Sequence, residues 1–188
     1  MKKPVFGKLW ATALVSVLWA SGHISSTVGR NAFGETKESI ETRLQRLEDR
    51  EEIRQLLMDY GRYLDQRDFA SFSALFAENG GEWIGGMGKA RGPKSIRKLM
   101  EDTIGNDTTG KSGGPNRHLF TNETIRVSGN EASATTKWVF MIQNSSKQPQ
   151  PFYVGHYDDT FVRENGRWKF LKRVVFSDIP MDDPLSRK

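Results

Sequence analysis

The chain has 188 residues, 28 Lys and Arg against 23 Asp and Glu, a formal charge of +5 and no cysteine. That length holds one domain and a tail, and the lack of thiols excludes thiolate catalysis, zinc–thiolate sites and disulfides. The basic balance does not indicate nucleic acid, because no Lys/Arg cluster is interleaved with aromatics on one strand or helix.

Lys2, Lys3 and Lys8 precede an apolar run from Leu9 to Ala20, and the small residues Ser21 and Gly22 follow. This order describes a secretory signal peptide over residues 1–22. The run is shorter than the about 20 apolar residues that span a bilayer; left uncleaved, it is a membrane anchor instead. Cleavage removes three lysines and leaves a formal charge of about +2. The expected product is secreted or periplasmic, with no membrane association after cleavage. Residues 23–36, rich in Gly, Ser, Asn and Thr, read as a flexible linker. The domain then covers 37–178, and 179–188, with Pro180 and Pro184, reads as a loose tail.

From Lys37 a helical period begins: Ile40, Leu44, Leu47, Ile53, Leu56, Leu57, Tyr60 and Leu64 fall near one stripe. Near the end of this helix Tyr60, Tyr63 and Asp65 interrupt the apolar face. A buried, unpaired carboxylate is costly, so Asp65 beside two phenols is a candidate proton-transfer group. Asp68 is placed to cap a second helix that carries Phe69, Phe72, Leu75 and Phe76 inward. Glu82 to Arg91 reads as two short strands around Gly85-Gly86. Pro93 opens a third helix, to Thr103, with Ile96, Leu99 and Met100 inward.

Gly105 to Ser112 fits the phosphate-loop pattern G-x-x-x-x-G-K-[ST]. That loop works between a strand and a helix, where amides and the helix N-terminus cradle phosphate. Here a helix precedes it and Gly113-Gly114-Pro115 follows, so nucleotide binding is rejected and the segment reads as a mobile lid beside His118. Beyond it the period changes to two. Arg117 to Val127 and Glu131 to Ile142 form one hairpin; Phe152 to Arg163 and Trp168 to Phe176 form another around Asn165-Gly166. Helices first and a long antiparallel sheet afterwards make an α+β domain.

The segments DYGRYLD, DFASFSALFAE, RHLFTNETIRVSGNEASATT and GHYDDTFVRENGRWKFLKRVV, in that order, resemble the SnoaL-like branch of the nuclear transport factor 2-like superfamily over about residues 37–177. The resemblance implies a cone-shaped, cystatin-like fold: N-terminal helices packed on a strongly curved, mostly antiparallel sheet that encloses a pocket. Within the group the chain is similar to the dehydratases, such as bile-acid 7α-dehydratase and scytalone dehydratase. The bile-acid enzyme's pattern maps onto Tyr60 and Asp65 on the first helix, His118 at the start of a central strand and Arg173 on the last strand. The resemblance implies these four as catalytic residues, and a homodimer paired through the exposed face of the sheet.

Local geometry bears on each residue. Tyr60 and Asp65 lie roughly 140° apart around a regular helix, so they converge on one pocket only if the helix loosens or ends near Asp65, which Gly61 allows. Otherwise Tyr60 is core and Asp65 is solvated. His118 can exchange a proton near neutrality when a carboxylate orients it; without one it is an ordinary strand-end histidine. Counting back from Asn165-Gly166 sets Asp158 opposite Arg173, with His156 on the same face. If that face lines the pocket, Arg173 holds an anionic or oxygen-rich group and Asp158 fixes its fork; if it faces out, the pair is a surface salt bridge. Tyr63, Trp83, Phe120, Trp138, Phe140 and Tyr157 are candidate pocket or core residues. The histidines and carboxylates lack tight ligand spacing, so no metal or other cofactor is expected.

The functional expectation is a cofactor-independent lyase (dehydratase) or isomerase acting on a small, apolar, oxygenated molecule. Asp65 and His118 would move the proton, Tyr60 would donate to the oxygen and Arg173 would anchor the substrate. A non-catalytic small-molecule-binding module and a structural dimer unit are the alternatives.

Overall fold

The computed structural model describes residues 38–105, 115–182 and 184–185. The expected signal peptide and linker and the loop over 106–114 lie outside those residues. Helix α1 (Ile40–Gln66) starts at Ser39, whose hydroxyl accepts the Thr42 N–H at 3.1 Å, and α2 (Phe69–Ser73) starts at Asp68, whose carboxylate accepts the Ser71 N–H at 3.0 Å. Then come β1 (Glu82–Gly85), β2 (Gly88–Arg91), α3 (Pro93–Ile104), β3 (Asn116–Ser128), β4 (Glu131–Gln143), β5 (Pro149–Glu164), β6 (Arg167–Ile179) and β7 (Met181–Asp182). Met181–Asp182 pair back onto β6 where the sequence suggests a loose tail.

The sheet order is β2-β1-β6-β5-β4-β3, with β7 also on β6. All pairings are antiparallel except β1 with β6, which sets Trp83 beside Arg173. Asn165 and Gly166 adopt φ of 51° and 78°, the left-handed pair that a two-residue hairpin requires. The sheet curves around the helices and makes the α+β, cystatin-like cone. Its core joins Ile53, Leu57, Tyr60 and Leu64 of α1 to Phe69 and Phe72 of α2 and to Phe161, Trp168 and Phe170 of the sheet. Burying each such side chain contributes about 1.5–3 kcal/mol. Asp49 ties α1 to the last hairpin, accepting from Arg163 and, at 3.3 Å, from Trp168 Nε1.

The stripe on α1 is shorter than the periodicity suggests. Ile40, Leu44 and Leu47 are 76, 53 and 62% exposed. Ile53 lies roughly 220° around the helix from Ile40, so the first three apolar residues occupy a different face from the core stripe. No described helix is long and apolar enough to cross a membrane.

Candidate active site

Helix α1 does not loosen near Asp65; it ends there. Arg67 takes a left-handed φ of 60° and its N–H reaches the carbonyls of Leu64 and Tyr63, closing the helix one residue after Gln66. Gly61 serves a different purpose from the expected one. A Cβ on Gly61 would lie 2.5 Å from the Phe120 ring and 3.3 Å from His118 Cβ, so its absence lets β3 approach the helix closely. Asp65, one turn further on, can therefore reach across. Its Oδ2 accepts the main-chain N–H of His118 at 3.1 Å, and its Oδ1 lies 2.6 Å from His118 Nδ1.

Both side chains of that pair are only 11% exposed. A carboxylate on Nδ1 selects the tautomer with the proton there, which leaves Nε2 as the free basic nitrogen. His118 lines a cavity of about 600 Å³, with the Phe140 ring 4.8 Å from the imidazole. Trp83, Trp138, Tyr157, Met87, Ile104 and Val175 supply most of the remaining apolar wall.

Tyr60, fully buried and part of the same wall, accepts a 3.0 Å hydrogen bond from Trp83 Nε1. The phenol's own proton is thereby free to be donated elsewhere. Burial pushes the Tyr60 hydroxyl above its ordinary value, although Arg173 and the Trp83 N–H pull the other way. It therefore stays protonated at neutral pH and acts as a donor. Trp138 Nε1 is a second buried donor without a partner among the described residues.

Arg173 corrects the sequence expectation. It is sealed, at 0% exposure, and does not line the cavity. Its Nε and Nη2 each donate at 2.7 Å to the carboxylate of Asp159, not Asp158. The guanidinium carbon lies 3.9 Å from the Tyr60 ring centroid and 4.0 Å from that of Tyr157, so the cation is sandwiched by two phenols. Burial opposes its charge, but Asp159 more than offsets this and holds Arg173 above its ordinary value. Arg173 is a brace behind Tyr60 and Tyr157, with its Nη1 left without a hydrogen-bond partner among the described residues.

One extra residue accounts for the change of partner. Leu171 is an extra residue on β6, a bulge between the Thr160–Lys172 and Phe161–Phe170 pairs. It moves the register by one, so Arg173 opposes Asp159 and Asp158 opposes Val174. The bulge turns Arg173 into the interior, away from Asp158 and His156, which lie on the convex face by the alternation of β5. There Asp158 accepts from Thr135 at 3.0 Å, and His156 Nδ1 lies 2.7 Å from Asp178. Of the other candidates, Trp83 and Trp138 line the cavity, while Phe120 packs behind it on Gly61 and 5.8 Å from Tyr157. Tyr63 is half-buried beneath Arg62, off the lining. Sequence reasoning did not single out Arg67, Asn116, Tyr153 and Ser177, which supply polar lining. Only the alternation from His118 to Asn116 and from Tyr157 to Tyr153 would have signalled two of them. Among the described residues no group of three or more His, Asp or Glu could hold a metal.

A protein-family model described as a SnoaL-like domain matches residues 45–174, well over half of the chain. An uncharacterized protein of Mycobacterium tuberculosis is 30% identical over 132 residues, covering 68% of this chain and 84% of the relative. Among solved structures, a nuclear transport factor 2-like protein with a cystatin-like fold from Novosphingobium aromaticivorans superposes with a TM-score of 0.63 at 28% identity, covering 72% of this chain and 85% of that one. A proposed scytalone dehydratase from the same organism superposes with a TM-score of 0.59 at 23% identity, covering 80% and 99%; at that identity the likeness speaks to the fold. With its cone, its pocket and this family match, the chain belongs to the SnoaL-like domain family of the nuclear transport factor 2-like superfamily.

Proposed function

We propose that this protein is a cofactor-independent lyase (dehydratase) or isomerase acting on a small, largely apolar, oxygenated molecule. The observation that carries the reading is the oriented imidazole: Asp65 holds Nδ1 at 2.6 Å and His118 meets an aromatic-walled cavity of about 600 Å³. His118 Nε2 removes a carbon-bound proton adjacent to an oxygen-bearing carbon, and Tyr60 donates its hydroxyl proton in a hydrogen bond to that oxygen. For elimination, the carbon–hydrogen electron pair forms the new double bond, the carbon–oxygen bond breaks, and the imidazolium returns its proton to make water. For isomerisation the same proton returns to a different carbon. General acid/base catalysis of this kind contributes about 10²–10⁴ in rate. The half-buried Arg67, on the cavity wall, takes the substrate-anchoring role that Arg173 cannot fill.

The proposal includes export through a signal peptide at 1–22, a linker at 23–36 and a homodimer formed through the convex sheet face, where Leu119 and Phe152 are exposed. A carrier is the second reading, favoured by one observation: the Arg173–Asp159 ion pair behind the pocket is fully buried, with neither charge exposed. Native mass spectrometry of the protein incubated with extract of its own host separates the two, with Asp65→Asn/His118→Gln beside wild type. A small molecule bound by both proteins and converted by wild type alone supports the enzyme. One held by both and altered by neither makes the protein a carrier.

A further inference from the structure

Ile40, Leu44 and Leu47 stand exposed on a helix that is regular from its Ser39 cap onward. Their four- and three-residue spacing places them on one seam, at heptad positions d, a and d. Glu41 and Glu48 then fall at e, and Arg43 and Arg50 at g, all exposed. In a parallel pair each g side chain meets the e side chain five residues on in the other helix. Arg43 thus meets Glu48 of a second copy, and its own Glu48 meets the second copy's Arg43. An antiparallel pair sets Arg against Arg and Glu against Glu. The flanking charges are complementary to a second copy of this chain in one orientation only.

We propose that the first turns of α1 form a parallel, in-register seam between two copies of this chain. The stripe stops where α1 enters the hydrophobic core: Glu51 takes the next seam position, and Ile53 is 0% exposed. Ile40 and Leu44 precede residue 45, where the family match starts, and Leu47 lies just inside it, so the seam straddles the edge of the shared domain. Leu44 lies about 30 Å along the helix axis from Leu64 on the pocket wall, and the surface is separate from the convex sheet face. Three side chains per copy bury far less than the about 1,200 Å² of a standard interface. The contact is therefore weak and concentration-dependent, made possible because the domain has already ordered the helix.

The absence of native cysteine makes the test unambiguous. Full-length Ile40→Cys and Leu47→Cys are each oxidised mildly at high micromolar concentration and run without reductant. A parallel, in-register seam brings both positions within disulfide reach of themselves, so each variant yields covalent dimers. In any antiparallel crossing at most one position can self-link. Adding Leu44→Glu lowers the linked fraction about tenfold or more by placing like charges in the seam, with no change in melting temperature or ligand retention. Arg43→Glu lowers it severalfold, and Glu48→Arg in the same chain restores it. The proposal is overturned if neither variant links, if only one does, or if linking is indifferent to Leu44→Glu or to the charge reversal and its rescue. A stable dimer that never links at these positions also overturns it, because pairing then uses another face.

Discussion

Two histidine–aspartate pairs among the described residues have almost the same length, His118 with Asp65 at 2.6 Å and His156 with Asp178 at 2.7 Å, both through Nδ1. Only one of them is a candidate catalytic unit. His118 is on the concave side of the sheet, 11% exposed, against the Phe140 ring and lining the same cavity as Tyr60. His156 is on the convex side, 25% exposed, stacked on Phe176 at 4.6 Å, with its aspartate shared by Lys137 at 3.2 Å. A paired imidazole is thus not a site by itself. An aromatic-walled cavity shared with a buried phenol makes it one, and strand parity decides which histidine has it.

The comparison breaks most sharply on activity. With the compound that wild type converts, His118→Gln is expected to lose about 10²–10⁴ in kcat, and His156→Gln to stay within about twofold. Equal losses at the two histidines would sink the assignment. Arg173 tests the region behind the pocket. Arg173→Met leaves the Asp159 carboxylate buried without its partner, a change that costs about 3–5 kcal/mol of stability. Arg173→Met/Asp159→Leu should recover most of that, because no charge remains to be desolvated. Urea titrations of the two variants give the answer; an Arg173→Met protein as stable as wild type would mean that the pair is not sealed.

Gly61 sharpens the comparison by acting on one pair alone. In Gly61→Ala the new methyl meets Phe120 Cε2 at 2.5 Å, so Phe120 and β3 must move outward. Overpacking of this kind costs about 1–3 kcal/mol. Because His118 sits two residues from Phe120, the displacement should lengthen the Asp65–His118 contact and lower activity, while Phe120→Leu in the same chain restores both. Loss of stability with unchanged turnover would show that the close approach matters for packing only.

Most of the cone was legible because its elements have strong local signals. Asp68 and Pro93 mark helix starts, Asn165-Gly166 marks a turn, and the change of period after Pro115 marks the sheet. The Asp65–His118 pair was reachable by joining the end of a helix to the start of a strand. Arg173 was misplaced because a bulge at Leu171 has no local signature: inserting one residue leaves the pattern of β6 readable while exchanging Asp158 for Asp159. The parallel pairing of β1 with β6 was invisible for a related reason, since it joins residues about 90 apart with no turn to announce it. The stripe of α1 was overextended because periodicity reports amphipathic spacing and not which partner, if any, lies opposite.

The smallest expected effect isolates the convex pair by its pH dependence. Partial burial pushes the Asp178 carboxyl up, and hydrogen bonds from His156 and Lys137 more than reverse this, so it sits below its ordinary value. A carboxyl with a lowered folded pKa adds stability above its unfolded pKa of about 3.9, and that contribution disappears as pH falls through the folded value. Wild type should therefore lose more stability than Asp178→Asn between about pH 5 and pH 2, as read from urea midpoints at each pH. With the Asp178 side chain 35% exposed, solvent screening keeps the difference within about 1 kcal/mol. Parallel curves would mean that His156 and Lys137 contribute nothing measurable through Asp178. A separation of this size, with turnover of Asp178→Asn unchanged, would fix the convex pair as a surface ion pair and leave proton transfer to the concave one.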